Sequence, residues 1–178
     1  MELENERLRA RVTELQTRMT ELVEDRRAAD LSLQVRAFQY RFGQPVGGPV
    51  PLVMDAKRVK KRLLLGAEEM CEQLNACLYL NPALEHALMD EIKYATIRVD
   101  LPAWVDGLGD SNYIAAGTAI ELGVDMRPIH SLIHRANMQK EPNGLDKPIK
   151  PYGWQPPDIA GELKRQGWLS PEWPACRE

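Results

Sequence analysis

Carboxylates recur at helical spacing in two segments of the chain, and this pattern constrains the fold most. The first segment, RLLLGAEEMCEQL, holds Glu68, Glu69 and Glu72, and the second, WVDGLGDSNYIAAGTAIELG, holds Asp106 and Asp110. Spacings of three and four residues place each acidic set on one face of a helix. Like charges at that spacing repel by about a few tenths of a kcal/mol per pair, which a bound cation would offset. The pattern is compatible with a Mg²⁺ or Mn²⁺ site between two helices and with two solvated acidic faces.

The composition narrows the class of protein. The 178 residues carry a net charge of -3, which argues against a dedicated nucleic-acid-binding protein. The three cysteines, Cys71, Cys77 and Cys176, lack metal-ligand spacing and indicate free thiols in a reducing compartment. The sequence has no apolar run long enough to span a bilayer, and its first residues are too charged for a signal peptide. We therefore expect a cytoplasmic protein.

The first 30 residues contain neither Gly nor Pro and predict one long helix. Apolar residues alternate along it at heptad d and a positions, with one Asn at a further a position and one Ala at a d position. They are Leu8, Val12, Leu15, Met19 and Leu22, with Asn5 and Ala29. This spacing predicts a coiled coil that joins copies of the chain. The alternative is a single amphipathic helix that packs on its own domain.

Local stop and start signals divide the rest of the chain into further helices, and no strand-like alternation is present. Predicted helices run over 31–43, 56–80, 82–95, 103–122, 125–140 and 158–166, and the stretch TIRVDLPAW (96–104) is predicted to be extended or irregular. Asp55, Asn81 and Asp125 are the expected N-caps, and Gly43 and Gly123 the expected stops. We therefore predict an all-α bundle. Its parts are an N-terminal coiled-coil helix (1–30), a catalytic domain (31–158) and a Pro/Trp-rich tail (159–178).

Cationic and imidazole side chains are further candidates for binding phosphate or a metal ion. A basic run precedes the glutamates, and within it Arg58 and Arg62 lie near the face of Glu69, from which they could reach the phosphates of a nucleotide. A solvated basic face is the alternative. His130 and His134 are four residues apart, a spacing found in zinc sites but more often in structural histidine pairs.

Several motifs occur in the order that is typical of one family. They are FQYRFGQP (38–45), EEMCE (68–72), DGLGDSNYIAAGTAIELG (106–123) and HRANMQK (134–140), followed by the tail KPIKPYGWQPPDI. Over roughly residues 35 to 158 the chain resembles the all-α nucleoside triphosphate pyrophosphohydrolases, the MazG-like and phosphoribosyl-ATP pyrophosphohydrolase-like group. Its tail is similar to that of phage-borne members.

The resemblance implies a homodimer or homotetramer that cleaves a nucleoside triphosphate between its α and β phosphates, with two or three Mg²⁺ or Mn²⁺ ions per site. Glu69, Glu72 and Asp110 match the family's metal ligands. Glu68 is a further ligand or, like Glu69, a candidate general base. Asp106 is a further ligand at which the chain departs from the family's pattern, since the family's usual partner position falls at Gly107. Asn137 and Lys140 match positions that contact the phosphates.

The identity of the base is the most open part of the resemblance. The size and tail are similar to those of phage-borne members that convert dGTP and GTP to their monophosphates for 2-aminoadenine nucleotide synthesis. Asn112, Tyr113 and Trp154 are candidates for contact with the base, and a structural role is the alternative for each. The alternatives are phosphoribosyl-ATP, dUTP or another nucleoside triphosphate as substrate, or a coiled-coil interaction protein without enzymatic activity.

Overall fold

The computed structural model describes residues 2–51, 53–143 and 147–169, and their side chains except those of residues 2, 3, 5 and 21–29. These residues form seven α-helices and one isolated antiparallel bridge between Glu141 and Ile149. The helices are α1 (Glu2–Ala29), α2 (Leu31–Arg41), α3 (Ala56–Cys77), α4 (Pro82–Tyr94), α5 (Leu101–Glu121), α6 (Met126–Met138) and α7 (Ile159–Arg165). The all-α prediction is confirmed. None of the described helices is both long enough and apolar enough to cross a membrane.

Side chains at the helix ends explain most of these boundaries. Asp55 Oδ1 accepts the Arg58 amide at 2.9 Å, and Asn81 Oδ1 accepts the Ala83 amide at 2.9 Å, with Pro82 in the first turn of α4. Each cap satisfies an amide that has no partner within its helix. Gly43 and Gly123 follow α2 and α5 with φ of 60° and 70°, values that glycine adopts without steric cost. The predicted caps and stops are thus confirmed.

The start of α5 differs from the prediction. We predicted a helix start at 103, but α5 begins at Leu101 and contains Pro102 in its first turn. Asp100 caps this end, because its side chain accepts the Ala103 amide at 3.1 Å and its carbonyl accepts the Trp104 amide at 2.9 Å. Amides of the first turn have no helical acceptor, so the missing N–H of Pro102 costs nothing there.

Asp125 caps α6 through the backbone and side chain of Arg127. Its Oδ1 accepts the Arg127 amide at 3.0 Å, and its Oδ2 lies 2.6 Å from Arg127 Nη2. The side-chain hydrogen bonds from Arg127 lower the pKa of Asp125 to about 2. The carboxylate therefore stays ionised at neutral pH. Its stabilising contribution is lost only below the ordinary pKa of about 4, as the pH falls toward 2.

The described residues fall into two compact units, which are considered separately. The first unit draws on Met1–Val46 and Ile114–Glu178, and the second is Gly47–Tyr113. In the first unit α2 packs against α6, α1 packs against both, and α7 packs against α6. Phe42, Ile129 and Ala136 are buried there. The ring centroids of Phe38 and Phe42 lie 4.6 Å apart, a distance typical of aromatic pairs.

The second unit is built on the packing of α3 against α4. Val59, Ala67 and Cys71 are the buried residues of α3, and their spacing places them on one side of the helix. Lys60 Nζ donates to the Lys93 carbonyl at 2.8 Å, close to the end of α4. A cation at that position complements the partial negative charge of a helix C-terminus.

Two helices present apolar side chains to solvent within a single chain. On α1 the heptad seam, defined as Leu8, Val12, Leu15 and Met19, is at least half exposed at every position. On α5 most large apolar residues are exposed, and no helix of the described chain packs extensively against α5. The predicted coiled coil remains a prediction, and the side chains of Asn5, Leu22 and Ala29 lie outside the described residues. Residues 170–178 of the tail, with Cys176, also lie outside them.

A side-chain bracket joins α7 to the start of α6. Gln166 Oε1 accepts the Asp125 amide at 2.8 Å, and Gln166 Nε2 donates to the Asp125 carbonyl at 2.9 Å. The same Nε2 donates to Glu162 Oε1 at 3.1 Å, and Arg165 Nε donates to Glu162 Oε2 at 2.8 Å. The bonds from Gln166 and Arg165 lower the pKa of the buried Glu162 below its ordinary value.

We predict that Gln166→Ala lowers the free energy of unfolding by about 1–3 kcal/mol, since it leaves partly buried backbone groups without their partner. Urea unfolding followed by circular dichroism measures the change. Gln155→Ala is the matched control, because Gln155 is exposed and makes only a 3.3 Å bond to the Gly153 carbonyl. Equal stability of the two variants would contradict the bracket.

Candidate active site

The three glutamates lie on α3, beside the residues that form its buried side. Ala67 and Cys71 are buried, Glu68 is half-buried, and Glu69 and Glu72 are exposed. This arrangement follows from the helical period, because side chains one or two residues from a buried position turn away from the core. Glu69 and Glu72 are therefore available to a ligand in solution.

Asp106 and Asp110 lie four residues apart on the first half of α5, and both are exposed. The predicted helical spacing of each acidic set is therefore present. Between the two aspartates, the Gly107 carbonyl accepts the Ser111 hydroxyl at 2.8 Å. Asn112 and Tyr113 follow on the same helix, and the Tyr113 side chain is 82% exposed. Both are accessible to a base, and their assignment to base contact stays a prediction.

The two acidic sets lie on helices that do not pack extensively against each other within one chain. Among the described residues, no three His, Cys, Asp or Glu side chains lie close enough together to hold a metal ion. The donor chemistry nevertheless fits Mg²⁺ or Mn²⁺, since carboxylate oxygens are the hard ligands that these ions prefer. The metal site therefore stays a prediction that rests on residue type and spacing.

The basic run before the glutamates is partly used by the fold. Lys60 bonds to the end of α4, and the amide of Arg58 is held by the Asp55 cap. The Arg58 side chain is half-buried, whereas the Arg62 side chain is exposed. Arg62 is thus the more accessible of the two predicted phosphate contacts.

Asn137 lies in the last turn of α6, Lys140 follows the helix by two residues, and Trp154 contacts this end. Trp154 Nε1 donates to the Ala136 carbonyl at 2.9 Å. Lys140 Nζ lies 6.0 Å and Lys150 Nζ 4.6 Å from the centroid of the Trp154 ring, within the range of cation–π attraction. Trp154 therefore fastens the segment after α6 to the helix and lies beside Lys140. Its predicted contact with a base is not tested by this geometry.

The sequence did not predict a cavity that lies between α2 and α6. The cavity has a volume of about 100 Å³. Its lining comes from both helices and comprises Leu31, Gln34, Val35, Phe38, His130, Ile133, His134 and Asn137. On each helix these residues recur at spacings of three and four, so the sequence indicates each face separately. Only the packing of the two helices shows that the faces meet.

Burial affects one imidazole of this cavity. Partial burial lowers the pKa of His134 below its ordinary value of 6.5, because the charged form loses solvation. At neutral pH the ring is therefore uncharged and offers one hydrogen-bond donor and one acceptor. The two-histidine spacing that is compatible with zinc is present on α6, but among the described residues no third ligand lies near enough to complete a site.

Comparison with known proteins gives one informative likeness. No protein-family model and no curated protein matches the chain. The fold is similar to the crystal structure of a "putative NTP pyrophosphohydrolase" from Exiguobacterium sp. 255-15, with a TM-score of 0.58 and 24% sequence identity. The match covers 78% of this chain and 96% of that one. The chain therefore shares, over 78% of its residues, the fold of nearly the whole of that protein.

Proposed function

We propose that the protein is a metal-dependent nucleoside triphosphate pyrophosphohydrolase. The observation that carries the proposal is the fold, which the chain shares with nearly all of a protein described as an NTP pyrophosphohydrolase. The exposed carboxylates of α3 and α5 support it, because they supply the type of ligand that such chemistry needs. The reaction joins water to the α phosphate and breaks the bond to the β phosphate, which releases a nucleoside monophosphate and pyrophosphate.

Each group of side chains has a separate role in this proposal. Glu69, Glu72 and Asp110 would hold Mg²⁺ or Mn²⁺, with Glu68 and Asp106 as further ligands. The bound ions would neutralise the triphosphate and activate water for attack. One of Glu68 and Glu69 accepts the proton of that water as general base.

Groups on α6 and α3 would contact the phosphates directly. The Asn137 amide would donate to a phosphate oxygen, and Lys140, Arg58 and Arg62 would add positive charge. Lys140 is well suited to this role because its ammonium lies beside the Trp154 ring, which Ala136 holds in place. These assignments rest on residue type and on the motif HRANMQK.

For the substrate we propose dGTP or GTP. The support is the size of the chain and its tail, which resemble those of the phage enzyme MazZ. The monophosphate product would then feed 2-aminoadenine nucleotide synthesis in a phage-infected cell. Phosphoribosyl-ATP, dUTP and other nucleoside triphosphates are the competing substrates, and the same assay separates them.

A second candidate function is a coiled-coil interaction protein without enzymatic activity. The exposure of the heptad seam on α1 favours it, because such a seam in water lacks its packing partner. In this candidate function the carboxylates of α3 and α5 are solvated faces only.

We predict that the protein releases pyrophosphate from at least one nucleoside triphosphate in the presence of Mg²⁺ or Mn²⁺, and fastest from dGTP or GTP. The measurement is pyrophosphate release from each ribo- and deoxyribonucleoside triphosphate and from phosphoribosyl-ATP, with EDTA-treated protein as control. Absence of metal-dependent release from all of them would favour the interaction protein.

We predict that Glu72→Gln strongly lowers kcat. The loss should exceed the roughly 10- to 100-fold that is typical when a residue that only orients a metal ligand is replaced. The amide keeps the shape of the side chain but removes its charge, so the circular dichroism spectrum should not change. Glu91→Gln on α4 is the control, because Glu91 is also an exposed helical glutamate. If both variants turn over at the same rate, Glu72 is not a ligand.

We propose that the chain forms a homodimer or homotetramer, supported by the exposed seam of α1 and the exposed apolar residues of α5. We predict that Leu15→Glu, at a d position, lowers the mass measured by light scattering, because it places a charge within the coiled-coil core. Thr17→Glu, at the outward f position two residues away, should leave the mass unchanged. A mass that Leu15→Glu does not alter would exclude the coiled coil.

A further inference from the structure

The cavity between α2 and α6 lies within the first unit, and of its described lining residues only Asn137 has a role in the mechanism described above. Its volume of about 100 Å³ is below the roughly 300–1,000 Å³ of pockets that enclose whole drug-sized ligands. It therefore suits a single ring system rather than a complete nucleotide. From His130 to Asn137 the α6 wall extends over seven residues, which is about 10 Å along the helix axis.

Aliphatic side chains form much of the cavity wall and remain partly in water. Leu31, Val35 and Ile133 line it and are 45%, 42% and 40% exposed. Large aliphatic groups that surround a cavity gain free energy when a flat apolar surface covers them. The walls thus favour a ligand with an apolar face.

Polar groups of the cavity come from amide and imidazole side chains. Gln34 is only 7% exposed, and its Nε2 lies 3.4 Å from Ser131 Oγ, which restrains the amide. His134 and Asn137 lie three residues apart on the facing helix. Each of these side chains can both donate and accept hydrogen bonds, His134 in its neutral form.

The described part of the cavity lining also holds no carboxylate, ammonium or guanidinium group. A phosphate would therefore be poorly neutralised inside, whereas an uncharged planar ring with donors and acceptors at its edge fits both the walls and the polar groups. A nucleobase is such a ring.

We infer that this cavity binds the nucleobase of the substrate, with Gln34 and His134 at the edge of the ring. The inference rests on the proposed function, since it is that function which supplies a nucleotide as ligand. Asn137 lies at the end of the cavity nearest to Lys140, so the sugar and phosphates leave the cavity along the last turn of α6. Gln34 and His134 thus determine which base is accepted.

The test uses the histidines as reporters, because the chain contains three of them and two line the cavity. The ring signals of isotope-labelled histidine are followed by NMR in the full-length protein during titration with adenosine, guanosine, cytidine or uridine. We expect at least one nucleoside to shift the His134 signal saturably. His86 on α4 serves as internal control and should not move, and ribose alone should shift neither signal.

A matched pair of variants locates the binding. Leu31→Trp puts a larger side chain in the lining of the cavity and should weaken nucleoside binding by about tenfold or more, since the base then has less room. Leu33→Trp is the control, because Leu33 is 46% exposed on the same helix but does not line the cavity. Leu31 is itself exposed, so both variants should fold, which circular dichroism verifies.

The outcomes separate this inference from the proposed function. Absence of a His134 shift with all four nucleosides, an equal shift with ribose, or equal weakening by Leu33→Trp would overturn the inference. Pyrophosphate release without a His134 shift would contradict the base site but would support the proposed hydrolase activity. Nucleoside binding without pyrophosphate release would support the site and contradict the hydrolase.

Discussion

The packing of α2 against α6 is the interaction on which most of the described structure of the first unit depends. The buried residues Phe42, Ile129 and Ala136 lie on these helices or next to them, and the cavity that we assign to a base lies between the two. Hydrogen bonds then reinforce this packing at both ends of α6. At the N-terminal end Gln166 brackets the Asp125 backbone, and at the C-terminal end Trp154 bonds to the Ala136 carbonyl. A change that separated α2 from α6 would therefore remove the cavity as well as the core.

In the second unit, the two sides of α3 differ in burial and in residue type. One side of α3 is buried through Val59, Ala67 and Cys71, while Glu69 and Glu72 are exposed. Carboxylates that repel one another on an exposed face contribute nothing to the stability of that helix. A role in binding a cation explains their spacing better than a role in folding does, which is why the metal-dependent reaction is the preferred proposal.

Local signals in the sequence predicted most of the fold. Caps such as Asp55 and Asn81 and stops such as Gly43 and Gly123 act within one turn, so neighbouring residues suffice to locate them. The start of α5 was predicted two residues late, because a proline is tolerated in a first turn and the Asp100 cap places Pro102 there. The helical faces of Glu69, Glu72, Asp106 and Asp110 followed from the period of the helix.

Features that depend on contacts between helices could not be predicted in this way. The cavity needs the face of Gln34 to meet that of His134, although the two residues are a hundred positions apart. The bracket of Gln166 on Asp125 is equally non-local, and composition carries no signal for it. Whether the carboxylates of α3 and α5 meet depends likewise on packing, within or between copies of the chain, which residue spacing does not encode.

The most direct test of a carboxylate-bound metal is a crystal structure of the protein with Mn²⁺ and a non-hydrolysable analogue of its preferred nucleoside triphosphate. Anomalous scattering identifies the ion without ambiguity. The proposal predicts Mn²⁺ bound by oxygens of Glu69, Glu72 and Asp110, with the triphosphate on the metal. A structure in which these carboxylates point apart into solvent, with the nucleotide bound elsewhere or not at all, would contradict it.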